Sequence, residues 1–103
     1  MRIMLACALG MSTSILVKKM EDAAKQQGKN YKIWAVDQSL IEQELGNFDV
    51  LLLGPQVMHI LKKVKRIVGD AAPVAVIKPV DYGKGDGAAV IKFAEELVAE
   101  GKK

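Results

Sequence analysis

One cysteine, one histidine and three prolines stand in a chain of 103 residues, and only 5% of its residues are aromatic. Each scarcity removes a class of protein. With Cys7 the sole cysteine, no internal disulfide can form, and a dithiol redox centre has no resolving partner. One cysteine and one histidine, His59, cannot supply the usual zinc ligand set, so neither a metal nor another cofactor is expected. No run approaches the ~18 to 20 continuous apolar residues of a membrane span, and MRIMLACALGM lacks the long apolar block and small-residue cleavage pattern of a signal peptide. A free thiol without these signals is expected in the cytoplasm. The net charge is +3, but the lysines alternate with Glu and Asp instead of forming a basic block. That pattern points to a solvated surface rather than nucleic acid. No repeat, linker or low-complexity tract interrupts the sequence, so residues 1–103 are expected to form a single domain around one core.

Short apolar runs alternate with longer amphipathic segments, which predicts α/β units around a parallel sheet. RIMLAC (Arg2 to Cys7) reads as a buried strand. Leu16, Val17, Met20, Ala23 and Ala24 recur at helical spacing between Thr13 and about Gln27, and Gly28 closes that helix. YKIWAV (Tyr31 to Val36) is the second strand, Ser39 to Leu45 a short helix, and FDVLLLG (Phe48 to Gly54) the most apolar and hence a central strand. Pro55 suits a helix start, with Val57, Ile60, Leu61, Val64 and Val68 as its buried stripe. Pro73 to Ile77 is the fourth strand, and Val90, Phe93, Ala94, Leu97 and Val98 line the inner face of a last helix. The expectation is an open four-stranded parallel sheet with helices on both faces. Ligands bind such sheets outside the carboxyl ends of the strands. Four loops meet there: Ala8 to Ser12, Asp37 to Gln38, Gly54 to Gln56 and Lys78 to Gly87. Their glycines are expected to leave room for a ligand.

CALGMSTS, Cys7 to Ser14, carries the chemistry. A thiol at the end of a strand, before a loop that curls into a helix start, lies where backbone N–H groups and the helix dipole concentrate positive potential. That setting favours a thiolate. The same N–H groups would cradle phosphoryl oxygens, with Gly10 allowing a tight turn and Ser12, Thr13 and Ser14 adding hydroxyl donors. Taken singly, a strand-end cysteine is more often a small core residue, and Ser12 or Thr13 an N-cap. Thiol, glycine and three hydroxyls together favour a nucleophile and its phosphate loop.

A phosphate loop after the first strand with a cysteine nucleophile resembles that of low-molecular-weight tyrosine phosphatases, whose pattern places an arginine six residues after the cysteine. Here that position is Thr13. Without a guanidinium to grip the phosphoryl oxygens, hydrolysis should be slow, whereas a carrier needs a site that takes up phosphate and discharges it poorly to water. The chain resembles the IIB components of the lactose, cellobiose and chitobiose class of the bacterial phosphoenolpyruvate-dependent sugar phosphotransferase system. The likeness rests on Cys7 with GMSTS (Gly10 to Ser14), on the turn Gly54, Pro55, Gln56, and on Tyr82, Gly83, Asp86 and Gly87. At Ala8 and Leu9 the chain departs from the smaller or more polar residues frequent in the family.

The resemblance implies that Cys7 accepts a phosphoryl group from a phosphohistidine of a IIA partner and passes it to a sugar, of the cellobiose, chitobiose or lactose kind, in a membrane IIC partner. Ala8, Leu9, Gly10, Met11, Ser12, Thr13 and Ser14 would bind the phosphate, chiefly through backbone N–H groups, with Gln56 and Tyr82 in support. A monomer, held at the inner membrane face only through IIC, is expected. A cysteine phosphatase or arsenate reductase is the competing reading, disfavoured by the missing arginine. A non-catalytic anion-binding regulatory module is the third, disfavoured because anion binding alone needs no thiol.

Other residues are assigned plainer roles. His59 lies off the buried stripe and is expected at the surface. Asp81 and Asp86 could be read as a phosphatase's acid, but Asp86 before Gly87 is better read as a helix cap. Tyr31 and Trp34 are expected to pack rather than to stack on sugar. Met11 at the loop, with Leu9, suits docking to two partners in turn, because a flexible side chain repacks easily.

Overall fold

A computed structural model describes residues 1–7 and 11–101, with the backbone alone considered at 11–13 and 101. Arg2–Cys7 forms β1, Lys32–Asp37 β2, Val50–Leu53 β3 and Val74–Val76 β4. The strands lie in the order β2-β1-β3-β4, and all three pairings are parallel. This is the open four-stranded sheet that the sequence pattern predicts. Parallel neighbours cannot be joined by a tight hairpin, so helical segments carry the chain back between strands. They are α1 (Met11–Gln26), α2 (Leu61–Val68), α3 (Pro79–Lys84) and α4 (Gly87–Gly101), with short 3-10 turns between some of them.

The alternation of side chains along a strand divides the core in two. Ile3 and Leu5 of β1 join Ile33, Val50 and Leu52 against Leu16, Met20 and Ala24 of α1 and Val90, Ile91 and Ala94 of α4. Met4 and Ala6 face the other way, with Leu51 and Leu53, against Ile41, Phe48, Val57 and the α2 residues Val64 and Val68. Helical structure therefore covers both faces. β1 and β3 read as continuous apolar runs because neither has a solvent side. Trp34 is half-buried against the second core, with the Lys32 ammonium 5.1 Å from its ring centre, which fits the packing role expected of it.

Several elements differ in detail from the sequence reading. The segment expected as one helix from Ser39 to Leu45 is two 3-10 turns, Gln38–Leu40 and Glu42–Glu44. Asp37, not a helix-interior residue, organises the first of them, its carboxylate accepting from the Ser39 backbone N–H. Pro55 begins a 3-10 segment, Pro55–Ile60, kinked at Val57, and regular α-helix starts only at Leu61. The stretch read as a loop from Lys78 to Gly87 contains α3, which Pro79 opens and Gly85, at φ +63°, closes. Proline in the first turn costs no hydrogen bond, so its presence marks a helix start as well as a loop.

Gly85 and Gly87 were expected to make room for a ligand. The structure corrects this for both. A Cβ on Gly85 would meet the Lys19 side chain, and one on Gly87 would lie 2.4 Å from the Lys19 carbonyl carbon and oxygen and 2.6 Å from the Met20 nitrogen. Gly87 is thus the point at which the start of α4 presses against the backbone of α1. A second tie joins α4 to the segment between α1 and β2. Glu95 of α4 accepts from the Tyr31 hydroxyl at 2.5 Å and pairs with the Lys29 ammonium at 2.5 Å. The hydrogen bond to Glu95, with burial, pushes Tyr31 up to about 12. Lys29 first and Tyr31 second hold Glu95 below the usual carboxylate range.

Two stability measurements check this account. Gly87→Ala should lower stability by about 2 kcal/mol in a denaturant titration, because the obstructing atoms are backbone and cannot swing aside. Glu95→Gln should cost about 1 kcal/mol at neutral pH, allowing for solvent screening of a part-exposed pair. Because the folded-state pKa of Glu95 is depressed, its contribution is present above the unfolded carboxyl value and lost as pH falls through the folded one. The gap in melting temperature between wild type and Glu95→Gln should therefore narrow as pH falls below about 4.

Candidate functional site

Cys7 is the last residue of β1, beside Asp37 of β2 in the parallel register. β1 is central, and the chain leaves it through α1, which packs on one face, whereas β3 on its other side leads to α2 on the opposite face. Connections that depart to opposite faces from adjacent strands open a crevice at their carboxyl ends. The thiol stands at the head of that crevice. It is buried, with Cys7 only 2% exposed.

The helix after Cys7 begins earlier than its side-chain pattern indicates. α1 starts at Met11, immediately after Gly10, so Ser12 and Thr13 lie within its first turn and neither is the N-cap. The first-turn N–H groups of an α-helix have no acceptor within the helix and direct their donors and the positive end of its dipole back along the chain. Here that end begins four positions after Cys7 in the sequence. Ser14 is exposed on the same turn. Ala8, Leu9 and Gly10, assigned to the phosphate loop, lie outside the described residues, as do the side chains of Met11, Ser12 and Thr13. The docking role expected of Leu9 and Met11 falls on the same undescribed positions.

The two supporting residues, far apart in sequence, are in contact. Gln56 Nε2 donates to Tyr82 Oη at 2.9 Å, joining the turn after β3 to α3. Tyr82 is half-buried and packs against the first core, so it anchors the exposed Gln56 side chain. Gly54 holds the turn close to β1, its N–H donating to the Ala6 carbonyl at 2.9 Å. A Cβ at Gly54 would lie 2.6 Å from Gln56 Oε1 and 3.4 Å from Cys7 Cβ. Cys7, Gly54, Gln56 and Tyr82 therefore form one cluster.

Asp37 also belongs to this edge. Its carboxylate accepts from the Ser39 hydroxyl at 2.5 Å and the Ser39 N–H at 3.0 Å. These bonds, the hydroxyl's first, hold it below the usual carboxylate range and keep it directed into its own turn. Asp86 caps α4 as expected, its Oδ1 accepting from the Ala89 N–H at 3.1 Å. Asp81 lies in the first turn of α3, and His59 is exposed. Among the described residues, no group of three or more His, Cys, Asp or Glu side chains could hold a metal ion.

What sequence reasoning missed is the apolar rim. Ile15 is 64% exposed, Met58 62%, Val80 57% and Leu40 40%. Each stands on the helical segment that follows one of the four strands, so all four belong to connections leaving the carboxyl edge. One signal was available: Ile15 is out of step with the spacing of Leu16, Met20 and Ala24.

The model of the lactose/cellobiose-specific IIB subunit family of the phosphotransferase system matches residues 2–93. The chain belongs to this family. It is 45% identical over 102 residues to the galactose-specific EIIB component of Lactococcus lactis subsp. cremoris (strain MG1363), a match covering 93% of this chain and 94% of that one. The identity and coverage are the same for the cellobiose-specific EIIB component of Lactococcus lactis subsp. lactis (strain IL1403). The solution structure of the cellobiose-specific IIB component from Borrelia burgdorferi superposes with a TM-score of 0.81 at 34% identity, covering 97% of this chain and 93% of that one. IIB components are phosphotransferases of sugar uptake and work with IIA and IIC components. No helix among the described residues is long and apolar enough to cross a membrane.

The contacts at Gly54 yield a test of the cluster. In Gly54→Ala the new Cβ displaces the end of a flexible side chain rather than backbone, so melting temperature should change little. The Gln56 side-chain amide resonances should nevertheless shift in an NMR spectrum. Unshifted resonances would mean that Gln56 does not lie over Gly54.

Proposed function

We propose that Cys7 is the phosphoryl acceptor of this IIB component, and that residues 1–103 act as one carrier unit between a IIA phosphohistidine and a sugar bound by a membrane IIC. The observation that carries this reading is the position of Cys7. It ends the central strand at the mouth of the crevice, directly before the segment that leads into the first turn of α1. Ala8 to Ser14 would hold the phosphoryl oxygens through backbone N–H groups and hydroxyls, with Gln56 and Tyr82 in support.

In the first step the phosphohistidine N–P bond breaks as an S–P bond forms, and the imidazole nitrogen keeps the bonding pair and takes up the proton given up by the thiol. In the second the S–P bond breaks as a sugar hydroxyl oxygen bonds to phosphorus, and the hydroxyl proton passes to a base. Each is an in-line displacement in which positioning and charge stabilisation are the protein's contribution. The burial of Cys7 bears on both steps. A phosphoryl group reaches sulfur only when the groups that cover it give way to a docked partner, whereas unassisted water is kept from the S–P bond. The missing arginine at Thr13 works in the same direction, withholding the guanidinium that would assist transfer to water.

The exposed Ile15, Leu40, Met58 and Val80 suit a small docking surface around this centre, used by IIA and IIC in turn and released quickly by each. The sugar is proposed as a disaccharide of the cellobiose, chitobiose or lactose kind. Support comes from the names of two similar proteins that are cellobiose-specific, whereas a third is specific for the monosaccharide galactose. The chain is proposed to be a monomer in the cytoplasm that reaches the membrane through IIC.

Incubation with phosphorylated IIA and phosphoenolpyruvate should add the mass of one phosphoryl group to the wild-type chain and none to Cys7→Ser, because a serine alkoxide is not available near neutral pH. If the wild-type chain stays unmodified while it rapidly hydrolyses an aryl phosphate, it is a phosphatase and the carrier reading is wrong. Paired substitutions Ile15→Ser and Met58→Ser should slow phosphorylation by IIA about tenfold or more without altering melting temperature, as loss of two central apolar contacts does in other interfaces.

A further inference from the structure

We infer that the side-chain amide of Gln56 turns over when a phosphoryl group arrives on Cys7, exchanging an acceptor for a donor on the side of Gly54 that borders Cys7. The inference rests on the carrier reading and deepens it. In the structure Gln56 Nε2 donates to Tyr82 Oη at 2.9 Å, which sends Oε1 the opposite way. Oε1 is 2.6 Å, and Cys7 Cβ 3.4 Å, from the single point that a Cβ on Gly54 would occupy. The absent side chain of Gly54 leaves the space that this amide oxygen occupies, no more than 6.0 Å from Cys7 Cβ.

That arrangement suits a thiol and opposes a phosphate. An amide oxygen only accepts hydrogen bonds, and a phosphoryl group on sulfur presents acceptor oxygens carrying negative charge, so the two would repel. The opposite end of the same amide carries two N–H donors. A half-turn about the last side-chain bond, a torsion with a broad and roughly two-fold profile, brings them round. A tyrosine hydroxyl can partner either end of the amide. That of Tyr82 both donates and accepts, so it can take a bond from Nε2 before the turn and give one to Oε1 after it. The Gln56–Tyr82 tie persists in both states, and the phosphoryl group gains a donor. Gln56 is exposed and has space to rotate, whereas Tyr82 is anchored in the core.

The test follows the Gln56 NH2 resonances of the full chain by NMR in four samples: wild type, wild type phosphorylated through IIA, Cys7→Asp and Cys7→Ala. Cys7→Asp places an acceptor-only anion at the same position without any need of IIA. Both anionic samples should shift the Gln56 NH2 pair and slow its exchange with water, and Cys7→Ala should do neither. Unchanged Gln56 signals in the phosphorylated protein overturn the inference and leave the carrier reading intact. If phosphorylated IIA leaves Cys7 unmodified, the carrier reading fails and Cys7→Asp decides alone, signals identical to those of Cys7→Ala overturning the inference.

A second measurement stands should Cys7→Asp not fold. At equilibrium with phosphorylated IIA, Gln56→Ala should hold about tenfold less phosphocysteine than wild type, as expected for one lost bond to a charged group. Gln56→Glu, with acceptors only and a negative charge, should hold less again. A Gln56→Glu chain phosphorylated as fully as wild type overturns the inference, whereas no phosphorylation of any of the three chains overturns the carrier reading and the inference that rests on it.

Discussion

The pairing of β1 on both its edges is the constraint on which the remaining structure depends. Ile3, Met4, Leu5 and Ala6 have no solvent exposure. Their backbone groups can be satisfied only by strands on either side, since an unpaired N–H or carbonyl at that depth costs as much as a lost hydrogen bond. β2 and β3 provide those strands. Because successive side chains point to opposite faces, one short strand then contributes to two separate cores and requires a helical layer over each. The position of Cys7 follows from the same arrangement. Cys7 pairs with Asp37 of β2, and the bond from the Gly54 N–H to the Ala6 carbonyl sets the turn after β3 next to it, so its place is fixed by sheet geometry rather than by the flexibility of a loop.

The sequence made this frame legible because the frame is built from patterns that a linear reading detects. RIMLAC and the VLLL run are too short for helices and too apolar for half-buried strands, and the spacing of Leu16, Val17, Met20, Ala23 and Ala24 fits a helical stripe and not strand alternation. The order of the strands in the sheet is not written in those patterns, but alternation of strand and helix limits the choice strongly. The reading failed where stability is not carried by periodic burial. The two 3-10 turns after β2 are organised by the Asp37 carboxylate, and the kink at Val57 separates one apolar stripe into two geometries. α3 is six residues long and has no buried residue. No apolar period could announce it.

The site divides along the same line. Cys7 and its place in the sheet were legible because a strand end and a helix start are local features. The partnership of Gln56 and Tyr82 was legible only as two residues assigned to one region, since the contact spans 26 positions of sequence. Gly87 shows the opposite error, in which a residue within a recognised motif was given a role in the site although it serves helix packing. A motif records that a residue type is wanted at a position; neighbouring atoms determine what it is wanted for. The apolar rim was missed for a related reason, because single exposed apolar residues are ordinary on any surface and become informative only when the fold gathers them.

The strand order has a consequence for how the chain reaches this structure. β1 comes first in sequence, and both of the strands that flank it come later, β2 at Lys32–Asp37 and β3 at Val50–Leu53. During synthesis this apolar segment must therefore wait, lacking its β3 partner, until about half the chain has emerged. Pairings so distant in sequence carry a loop-closure cost before they return any stability, which makes sheets of this kind slow to nucleate. A strand poised in that way is a ready template for the same segment of another chain. In the finished protein the sheet's interior position removes that hazard, so its danger is confined to the interval between the synthesis of Cys7 and that of Leu53.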